Sequence, residues 1–428
     1  WIGLNIDRSA IGRALRAIAA SEQAAGSVGV DITRHKVQMF VIGGGLASVS
    51  GSLLVHYLRA TDPTVFGFSY SINLITGTII GGLTSIWGGA LGAAIIIFLR
   101  ELLRDLELPL WESVIMGALT VIVLITFPRG IAGFVSRIYD RAFGHRDERR
   151  IMVTAPGMTP LPPLAEPPAP NRPFLEVIGM SRAFGSLLAV RNVSFTVQPG
   201  SITALIGPNG AGKTTVFNLI GGYLPLDEGV VRFENREIQT LLPRDVARLG
   251  IGRTFQNLQL FDNMTVLENV MCGRHRFTTQ GVVPIALGFA GARQEAAVRR
   301  AALDALGFVG LQGAEQHDPS SLAFGHQRLV EIARALALHP RLLLMDEPAS
   351  GLNDGETERL AELIVRIAAL GVTVLVVEHD MRLVMGLADH VVVMDHGEMI
   401  AEGLPDTVRG DPGVIAAYLG QEVPARAA

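Results

Sequence analysis

Apolar residues follow two different patterns along the 428-residue chain. The first third contains long apolar runs that hold no Asp, Glu, Lys or Arg, at residues 37–58, 65–99 and 114–127. After residue 174 the apolar runs are short, as at residues 342–345 and 372–377, and a stretch with helical periodicity lies between them at 356–370. Long apolar runs favour membrane helices, whereas short β-branched runs between helical stretches favour buried strands. We predict an all-α bundle of transmembrane segments followed by an α/β domain.

The predicted membrane part leaves its number of crossings open. Residues 37–58 are rich in Gly and Ser, which suits close helix packing in a bilayer and would weaken a helix in water. Glycines divide the next run into halves at residues 66–83 and 86–99, which form either two spans or a re-entrant hairpin. Basic residues flank both ends of this part. By the positive-inside rule, we expect both ends in the cytoplasm and an even number of full crossings.

A helix is also predicted at residues 11–19, where apolar residues have helical spacing and arginines form a basic face. Two interpretations fit this pattern: a solvated surface helix, or a cytoplasmic helix beside a membrane span. The chain begins with Trp1 rather than Met, so we expect further sequence upstream.

Eight prolines between residues 151 and 173 predict an extended, semi-stiff linker. The predicted domains are therefore a transmembrane part at 1–141, a linker at 142–173, an α/β domain at 174–420 and a tail at 421–428. Only 18% of residues are charged, below the usual quarter or so of soluble domains, and the net charge is −4. No basic block interleaved with aromatics suggests nucleic acid. The single cysteine, Cys272, excludes an internal disulfide and is consistent with a reducing compartment.

A phosphate-binding loop is predicted at residues 207–214, where GPNGAGKT fits the pattern G-x-x-x-x-G-K-[ST]. A β-branched run precedes it and an apolar helical run follows it, which is the context that the pattern requires. Backbone N–H groups and the helix N-terminus would surround phosphate oxygens, Lys213 would reach the β- and γ-phosphates, and the Thr214 hydroxyl would ligate Mg²⁺. The predicted nucleotide-binding residues here are Gly207, Pro208, Asn209, Gly210, Ala211, Gly212, Lys213, Thr214 and Thr215.

Two acids, Asp346 and Glu347, follow the apolar run at 342–345. In a P-loop protein an acid at that strand end completes the Mg²⁺ shell, which is the role predicted for Asp346 beside Thr214. Glu347 is placed to orient or deprotonate the attacking water. Gln256 and His379 are polar residues at the ends of apolar runs, and taken singly each has a structural interpretation too.

The order of six segments resembles the ATPase domain of ATP-binding cassette (ABC) proteins over residues 174–420: GPNGAGKT, TFQN, LAFGHQR, LLLMDEP, SGLN and EHD. Residues 254–266 and the ending AAYLG resemble the branched-chain amino acid uptake branch. Residues 14–25 look like the cytoplasmic coupling loop of importer permeases, and 127–131 like a permease ending. The resemblance implies a helical subdomain at about 257–335. It also implies an ATP- and Mg²⁺-dependent importer of branched-chain or other hydrophobic amino acids in the bacterial inner membrane, with its ATPase domain in the cytoplasm.

The resemblance also implies roles for single residues. Phe184 would stack on adenine, Gln256 would sense Mg²⁺ and water and signal to the permease, and His379 would contact the γ-phosphate. The signature segment is expected to meet the ATP held by a second ATPase subunit through Ala323, Gly325 and His326. Further implied partners are a second permease subunit, a periplasmic or surface substrate-binding protein, and membrane lipid.

The chain departs from the family at two places. The signature usually reads LSGGQ, whereas residues 322–326 read LAFGH and lack the serine hydroxyl that bonds the γ-phosphate. Asn353 stands where Asp is common. We therefore expect one of the two composite ATP sites to be slower. Alternative functions are import of urea or short amides, a non-transport ABC ATPase, and an exporter.

Overall fold

The computed structural model describes residues 1–59, 67–82, 85–106, 111–127, 130–134, 138, 161, 164, 173–278, 281–289 and 292–419. Contacts divide the chain into two compact units, one of residues 1–4 and 38–152 and the other of residues 5–37 and 153–428. The predicted linker lies outside the described residues except for positions 161, 164 and 173, and the predicted tail lies wholly outside them. The limits predicted at residues 141 and 174 stay predictions, while residues 5–37 pack within the unit that contains the α/β part.

The N-terminal part is helical, as predicted. Its helices are α1 (Ile2–Asp7), α2 (Ala10–Ala20), α3 (Glu22–Ser27), α4 (Ile32–Leu58), α5 (Phe68–Gly81), α6 (Ile86–Asp105) and α7 (Glu112–Thr126). Among the described residues, three segments are long and apolar enough to cross a membrane: Ile32–Leu58, Ile86–Asp105 and Val114–Phe134. The run predicted at 37–58 is thus the main part of α4.

Helices α5 and α6 pack closely through glycines. A Cβ atom added at Gly81 would lie 1.7 Å from the Gly88 carbonyl oxygen, and one added at Gly92 would lie 1.7 Å from the Gly77 carbonyl oxygen. Only residues without side chains allow this approach. Helix α5 has 14 residues, fewer than the 20 or so that a full crossing needs. Its length favours the hairpin alternative, and the even number of crossings stays a prediction.

The C-terminal part is α/β, as predicted, with two sheets. A four-stranded antiparallel sheet has the order β2-β1-β4-β5, from β1 (Leu175–Phe184), β2 (Leu187–Val197), β4 (Glu228–Phe233) and β5 (Arg236–Glu237). A six-stranded sheet has the order β10-β9-β3-β8-β7-β6, from β3 (Ile202–Ile206), β6 (Ile251–Arg253), β7 (Leu342–Asp346), β8 (Thr373–Val377), β9 (His390–Asp395) and β10 (Glu398–Gly403). Strands β3, β7 and β8 run parallel and are buried throughout, which explains their largely apolar sequence.

Ten helices accompany these sheets in the part of the chain that the structure describes. They are α8 (Lys213–Ile220), α9 (Pro243–Arg248), α10 (Val266–Cys272), α11 (Val282–Ala286), α12 (Ala292–Phe308), α13 (Phe324–Ala337), α14 (Asp354–Ala369), α15 (Met381–Leu387), α16 (Pro405–Arg409) and α17 (Pro412–Leu419). Helices α10, α12 and α13 pack on one another, where the sequence suggests a helical subdomain. Parallel order brings the carboxyl ends of β3, β7 and β8 to one edge of the sheet, which positions the site.

Candidate functional site

The P-loop connects β3 to α8 and depends on glycine at three positions. Gly207, Gly210 and Gly212 have φ angles of +151°, +83° and +97°. A Cβ atom would lie 2.0 Å from the Met394 carbonyl oxygen if added at Gly207, and 2.4 Å from the Ala189 carbonyl oxygen if added at Gly212. A Cβ atom at Gly210 would meet no described atom within 4 Å. Two glycines are therefore required by packing, and the third leaves an open concavity in which phosphate oxygens can approach the backbone.

Lys213 opens α8 and is buried within the loop. Its Nζ atom donates to the carbonyl oxygens of Gly207, at 2.7 Å, and Pro208, at 2.9 Å. Burial lowers the pKa of Lys213, while the charges of Glu347 and Asp346 oppose that change. The ammonium group is therefore held in the concavity by carbonyl oxygens that phosphate oxygens can replace.

Asp346, the last residue of β7, is buried beside Arg253, whose Nη2 atom lies 3.3 Å from Asp346 Oδ2. The other carboxylate oxygen, Oδ1, is buried and has no hydrogen-bond partner within the described part of the chain. Burial is the main effect that raises the pKa of Asp346, and Arg253 opposes it. An oxygen in this state has the chemistry of a cation ligand, because a divalent ion would both pair it and keep it ionised. Thr214, the other predicted ligand, is exposed in the first turn of α8.

The three predicted catalytic side chains lie together. Gln256 Nε2 donates to Glu347 Oε2 at 2.8 Å, and His379 Nδ1 lies 3.9 Å from the same oxygen. Glu347 has a φ angle of +45°, which is uncommon for a residue with a side chain. Its N–H donates to the Val377 carbonyl oxygen of β8 at 2.9 Å, so the turn after β7 is fixed against the next strand. Their convergence is compatible with water activation, and their catalytic roles stay a prediction.

Glu378 supports this cluster, and sequence reasoning gave it no role of its own. Its buried carboxylate accepts from the Ala349 N–H at 2.8 Å through Oε1 and from the His379 N–H at 3.2 Å through Oε2. Burial raises the pKa of Glu378, and the two backbone donors oppose that rise. Glu378 thus connects the segment after β7 to the residue that carries the imidazole. An acid directly after a fully apolar strand was the available signal.

A buried ionic cluster on α13 fixes the backbone around Gln256, and sequence reasoning missed it. Arg328 donates from Nη1 to the Phe255 carbonyl oxygen at 2.6 Å and from Nη2 to the Gln256 carbonyl oxygen at 2.9 Å. Glu331 accepts from the Phe255 N–H at 3.2 Å and from Arg328 at 2.8 Å. Arg334 donates to the Gln259 carbonyl oxygen at 2.6 Å. Helix α13 therefore sets the position of the segment that carries Gln256.

The predicted signature residues lie at the start of α13. Ala323 is the N-cap residue, followed by the exposed ring of Phe324. A Cβ atom added at Gly351 would lie 2.9 Å from Phe324 Cε1, and one added at Gly325 would lie 2.8 Å from Glu356 Oε1. The segment therefore packs closely on the start of α14, with Ala323 left exposed and His326 half-buried.

The predicted adenine contact, Phe184, ends β1 with its ring about half-exposed. The guanidinium carbon of Arg182 lies 5.1 Å from the ring centroid, so a cation–π contact orients the ring. Arg182 is itself paired with Asp227. An exposed aromatic face that is fixed in this way is suited to base stacking.

Residues 5–37 pack against the same unit as this site, so the interpretation of α2 as a solvated surface helix is wrong. The apolar faces of α2 and α3 are buried in one core cluster, formed by Ala14, Ala17, Ile18, Ala24, Ala25, Val28, Val30, Phe255, Phe261, Met264 and Cys272. Arg13 forms two hydrogen bonds to Glu295, one of them between Nη2 and Oε2 at 2.9 Å. Arg16 pairs with Glu268 at 2.8 Å. Phe255 belongs to this cluster and directly precedes Gln256, so packing connects the segment to the site.

The P-loop, the paired acids and a signature helix on these two sheets define an ATP-binding cassette ATPase. Residues 190–350 match the family model for the ABC transporter, and residues 398–424 match that of the branched-chain amino acid ATP-binding cassette transporter. Residues 4–124 match the model described as a branched-chain amino acid transport system permease component.

Two curated relatives resemble the ATPase part over 259 residues, which are 59% of this chain and 99% of each relative. The high-affinity branched-chain amino acid transport ATP-binding protein BraF of Pseudomonas aeruginosa is 42% identical, and LivG of Escherichia coli K12 is 40% identical. A nucleotide-free ATP-binding cassette matches with a TM-score of 0.52 and 35% identity, over 58% of this chain and all of that one. The ADP conformation of MJ1267 matches with a TM-score of 0.51 and 33% identity, over 59% of this chain and all of that one.

The chain therefore belongs to the branched-chain amino acid ABC transporter family, and it fuses a permease segment to an ATP-binding, ATP-hydrolysing subunit.

Proposed function

We propose that this chain drives uptake of branched-chain or other hydrophobic amino acids across the bacterial inner membrane, with its ATPase part in the cytoplasm. The observation that carries the proposal is one continuous set of contacts. Gln256 donates to Glu347, and the neighbouring Phe255 packs in the core cluster that buries α2 and α3 of the permease segment. Because Phe255 and Gln256 are adjacent in the chain, a change at the nucleotide site can move the permease segment through these two residues.

The nucleotide site is assigned to the residues around the P-loop. Adenine stacks on Phe184, and the phosphates lie against the backbone of residues 207–212. Lys213 turns from its carbonyl partners to the phosphates, and Thr215 lies one residue further into α8. Thr214, Asp346 and Gln256 would hold Mg²⁺, which would screen the phosphate charge.

Hydrolysis is assigned to Glu347, which accepts a proton from the attacking water or orients it. Gln256 fixes the carboxylate oxygen Oε2, and His379 lies on the same side of the acid, where it would contact the γ-phosphate. Glu378 positions the His379 backbone through its N–H. If these side chains instead form a purely structural hydrogen-bonded cluster, Glu347→Gln should cause no loss of ATP turnover.

The assembly requires further subunits. A second ATPase subunit would place its ATP against Ala323, Gly325 and His326. A second permease subunit would complete the membrane pathway, and a periplasmic or surface binding protein would deliver the substrate. Closure of the two ATPases on ATP would pull on α2 and α3, and hydrolysis would reset them.

Uptake by reconstituted vesicles tests the proposal. The chain is purified with the subunits that co-purify, placed in proteoliposomes with ATP and Mg²⁺ inside, and supplied with the co-purifying binding protein and labelled leucine or urea outside. We expect ATP-dependent accumulation of leucine. Accumulation of urea in place of leucine would support the alternative substrate class, and recovery of the chain without detergent in the soluble fraction would contradict transport altogether.

A further inference from the structure

An exposed apolar surface lies between α10 and α12, outside the nucleotide site. Val283, Leu287 and Phe289 are 64%, 48% and 75% exposed, whereas Ile285 on the same short segment is buried and anchors it. We call Val283, Leu287 and Phe289 the α11 patch. Three large apolar side chains grouped within seven residues of a water-facing ATPase are unfavourable unless something covers them.

The α11 patch lies next to the chain segment that leads into the membrane part. Asn5 Nδ2 donates to the Ala286 carbonyl oxygen at 3.1 Å, across 281 residues of sequence. Asn5 is bonded covalently to Leu4, which belongs to the unit that contains the apolar helices α5, α6 and α7. The hydrogen bond from Asn5 therefore holds the N-terminal segment of the chain against α11.

Positive charge accompanies the patch. Arg8 is exposed and lines, with Ile285 and Gly288, a cavity of about 250 Å³. Arg293 is exposed in the first turn of α12, four residues after Phe289. Within the residues that the structure describes, neither arginine forms an ion pair. The acid that lines the same cavity, Glu295, is neutralised by Arg13.

We propose that the α11 patch docks on the surface of an anionic lipid bilayer. Apolar side chains enter the boundary between headgroups and acyl chains, while Arg8 and Arg293 remain at the phosphates, which is the composition of interfacial membrane segments. A protein partner is less favoured, because Arg8 and Arg293, which form no ion pair within the described residues, complement a uniformly anionic surface. The inference depends on the proposed membrane location of the N-terminal helices, and the test separates the two.

Site-specific fluorescence in lipid nanodiscs tests this docking. The chain has one cysteine, Cys272, which is buried, so a cysteine added at the surface can be labelled selectively with an environment-sensitive dye. Val283→Cys and Phe289→Cys report on the patch. Leu404→Cys is the matched control, since Leu404 is 64% exposed like Val283 but lies between β10 and α16. Val49→Cys, on the apolar part of α4, reports on the span.

The assembled complex is placed in anionic nanodiscs with or without a lipid that carries a quencher near its headgroup. We expect blue-shifted emission and at least a twofold loss of intensity on quencher addition for Val283→Cys and Phe289→Cys, and no loss for Leu404→Cys. Water-like, unquenched emission at positions 283 and 289 would overturn the proposal. Blue-shifted emission without quenching would also overturn it, because a protein would then cover the patch.

Dye at position 49 distinguishes failure of this inference from failure of the proposed function. If the Val49→Cys label shows blue-shifted emission and the labels on the α11 patch show water-like emission, only the docking of α11 is contradicted. If the label at position 49 also behaves as in water, α4 does not enter the membrane, and the proposed membrane location is wrong together with the docking.

Discussion

Gln256 and Glu347 are 91 residues apart in sequence and share a hydrogen bond of 2.8 Å between Gln256 Nε2 and Glu347 Oε2. Gln256 follows Phe255, which packs against the permease segment, and Glu347 follows β7, whose last residue is the candidate metal ligand Asp346. One hydrogen bond thus joins Glu347, the acid assigned to water activation, to Gln256, whose neighbour Phe255 packs against the permease segment. Substitutions at either end should separate hydrolysis from binding and from transport.

Glu347→Gln should abolish turnover and leave nucleotide binding intact. An amide cannot accept the proton of water but can still bond Gln256, so the rate of phosphate release should fall about 10²- to 10⁴-fold. The measurement is phosphate release by the assembled transporter, together with the affinity for a fluorescent ATP analogue. Glu358→Gln, an exposed acid on α14, is the control and should hydrolyse at the normal rate. A normal rate in Glu347→Gln would assign the acid a structural role.

Arg13→Ala should uncouple hydrolysis from uptake. Arg13 is buried and bonded to Glu295 of α12, so its loss removes one of the polar contacts between α2 and the helical part of the ATPase. We expect fewer molecules transported per ATP hydrolysed, at nearly normal basal hydrolysis. Because Glu295 is partly exposed, a double-mutant cycle with Glu295→Ala should give a small interaction free energy, about 0.5–1 kcal/mol. Additive effects of the two substitutions would contradict direct pairing.

Arg328→Met should destabilise the ATPase strongly, because it leaves the buried Glu331 carboxylate with one backbone donor, the Phe255 N–H, and one more distant charged partner, Arg334. Breaking one side of a buried pair costs about 3–5 kcal/mol of unfolding free energy. The thermal unfolding midpoint of the purified chain measures this loss, with the exposed Arg359→Met as the matched control. Arg328→Met combined with Glu331→Gln should recover part of the stability. No recovery would indicate that the backbone bonds to Phe255 and Gln256 dominate.

The ionic cluster also shows where sequence reasoning reaches its limit. Motifs that are local, such as residues 207–214 and the acids after β7, were predicted at their observed positions because each is determined by a few neighbouring residues. Arg328, Glu331 and Arg334 have the i, i+3 spacing of an ordinary solvated helix face. Only tertiary packing, which covers α13 with the Gln256 segment, makes that face buried. The pairing of Asn5 with Ala286 is likewise invisible in sequence, because 281 residues separate them.

Cys272 should resist alkylation in the folded protein. The thiol is buried in the cluster shared with α2 and α3, and burial raises its pKa to about 11. The folded state therefore favours the protonated form, and at pH 8 only about one thiol in a thousand is ionised. Iodoacetamide labelling followed by mass spectrometry should detect little reaction at pH 8 and full reaction in guanidinium. The Leu404→Cys variant provides a reactive exposed thiol for comparison. Rapid labelling of Cys272 without denaturant would mean that residues 5–37 leave the ATPase readily.

Ala323→Ser addresses the altered signature. Ala323 is the N-cap residue of α13 with φ −60° and ψ 150°, a backbone geometry in which a serine hydroxyl accepts from the first turn of the helix. Serine should therefore stabilise α13 by about 1 kcal/mol whatever the role of the signature. If this segment also completes the ATP site of a second subunit, the same hydroxyl gains a charged acceptor in the γ-phosphate.

The two effects of Ala323→Ser are separable by measuring stability and turnover together. A hydrogen bond to a charged group contributes about 1.5–3 kcal/mol, so the slower composite site should hydrolyse ATP about tenfold faster or more in the assembled transporter. Ala323→Asp is the control, since aspartate caps helices as well as serine but its ionised carboxylate has no donor for the γ-phosphate. We expect both variants to raise the thermal midpoint and only the serine variant to raise the hydrolysis rate. A serine variant that is stabilised but hydrolyses at the original rate would contradict the slow site, because the missing hydroxyl would then not limit turnover.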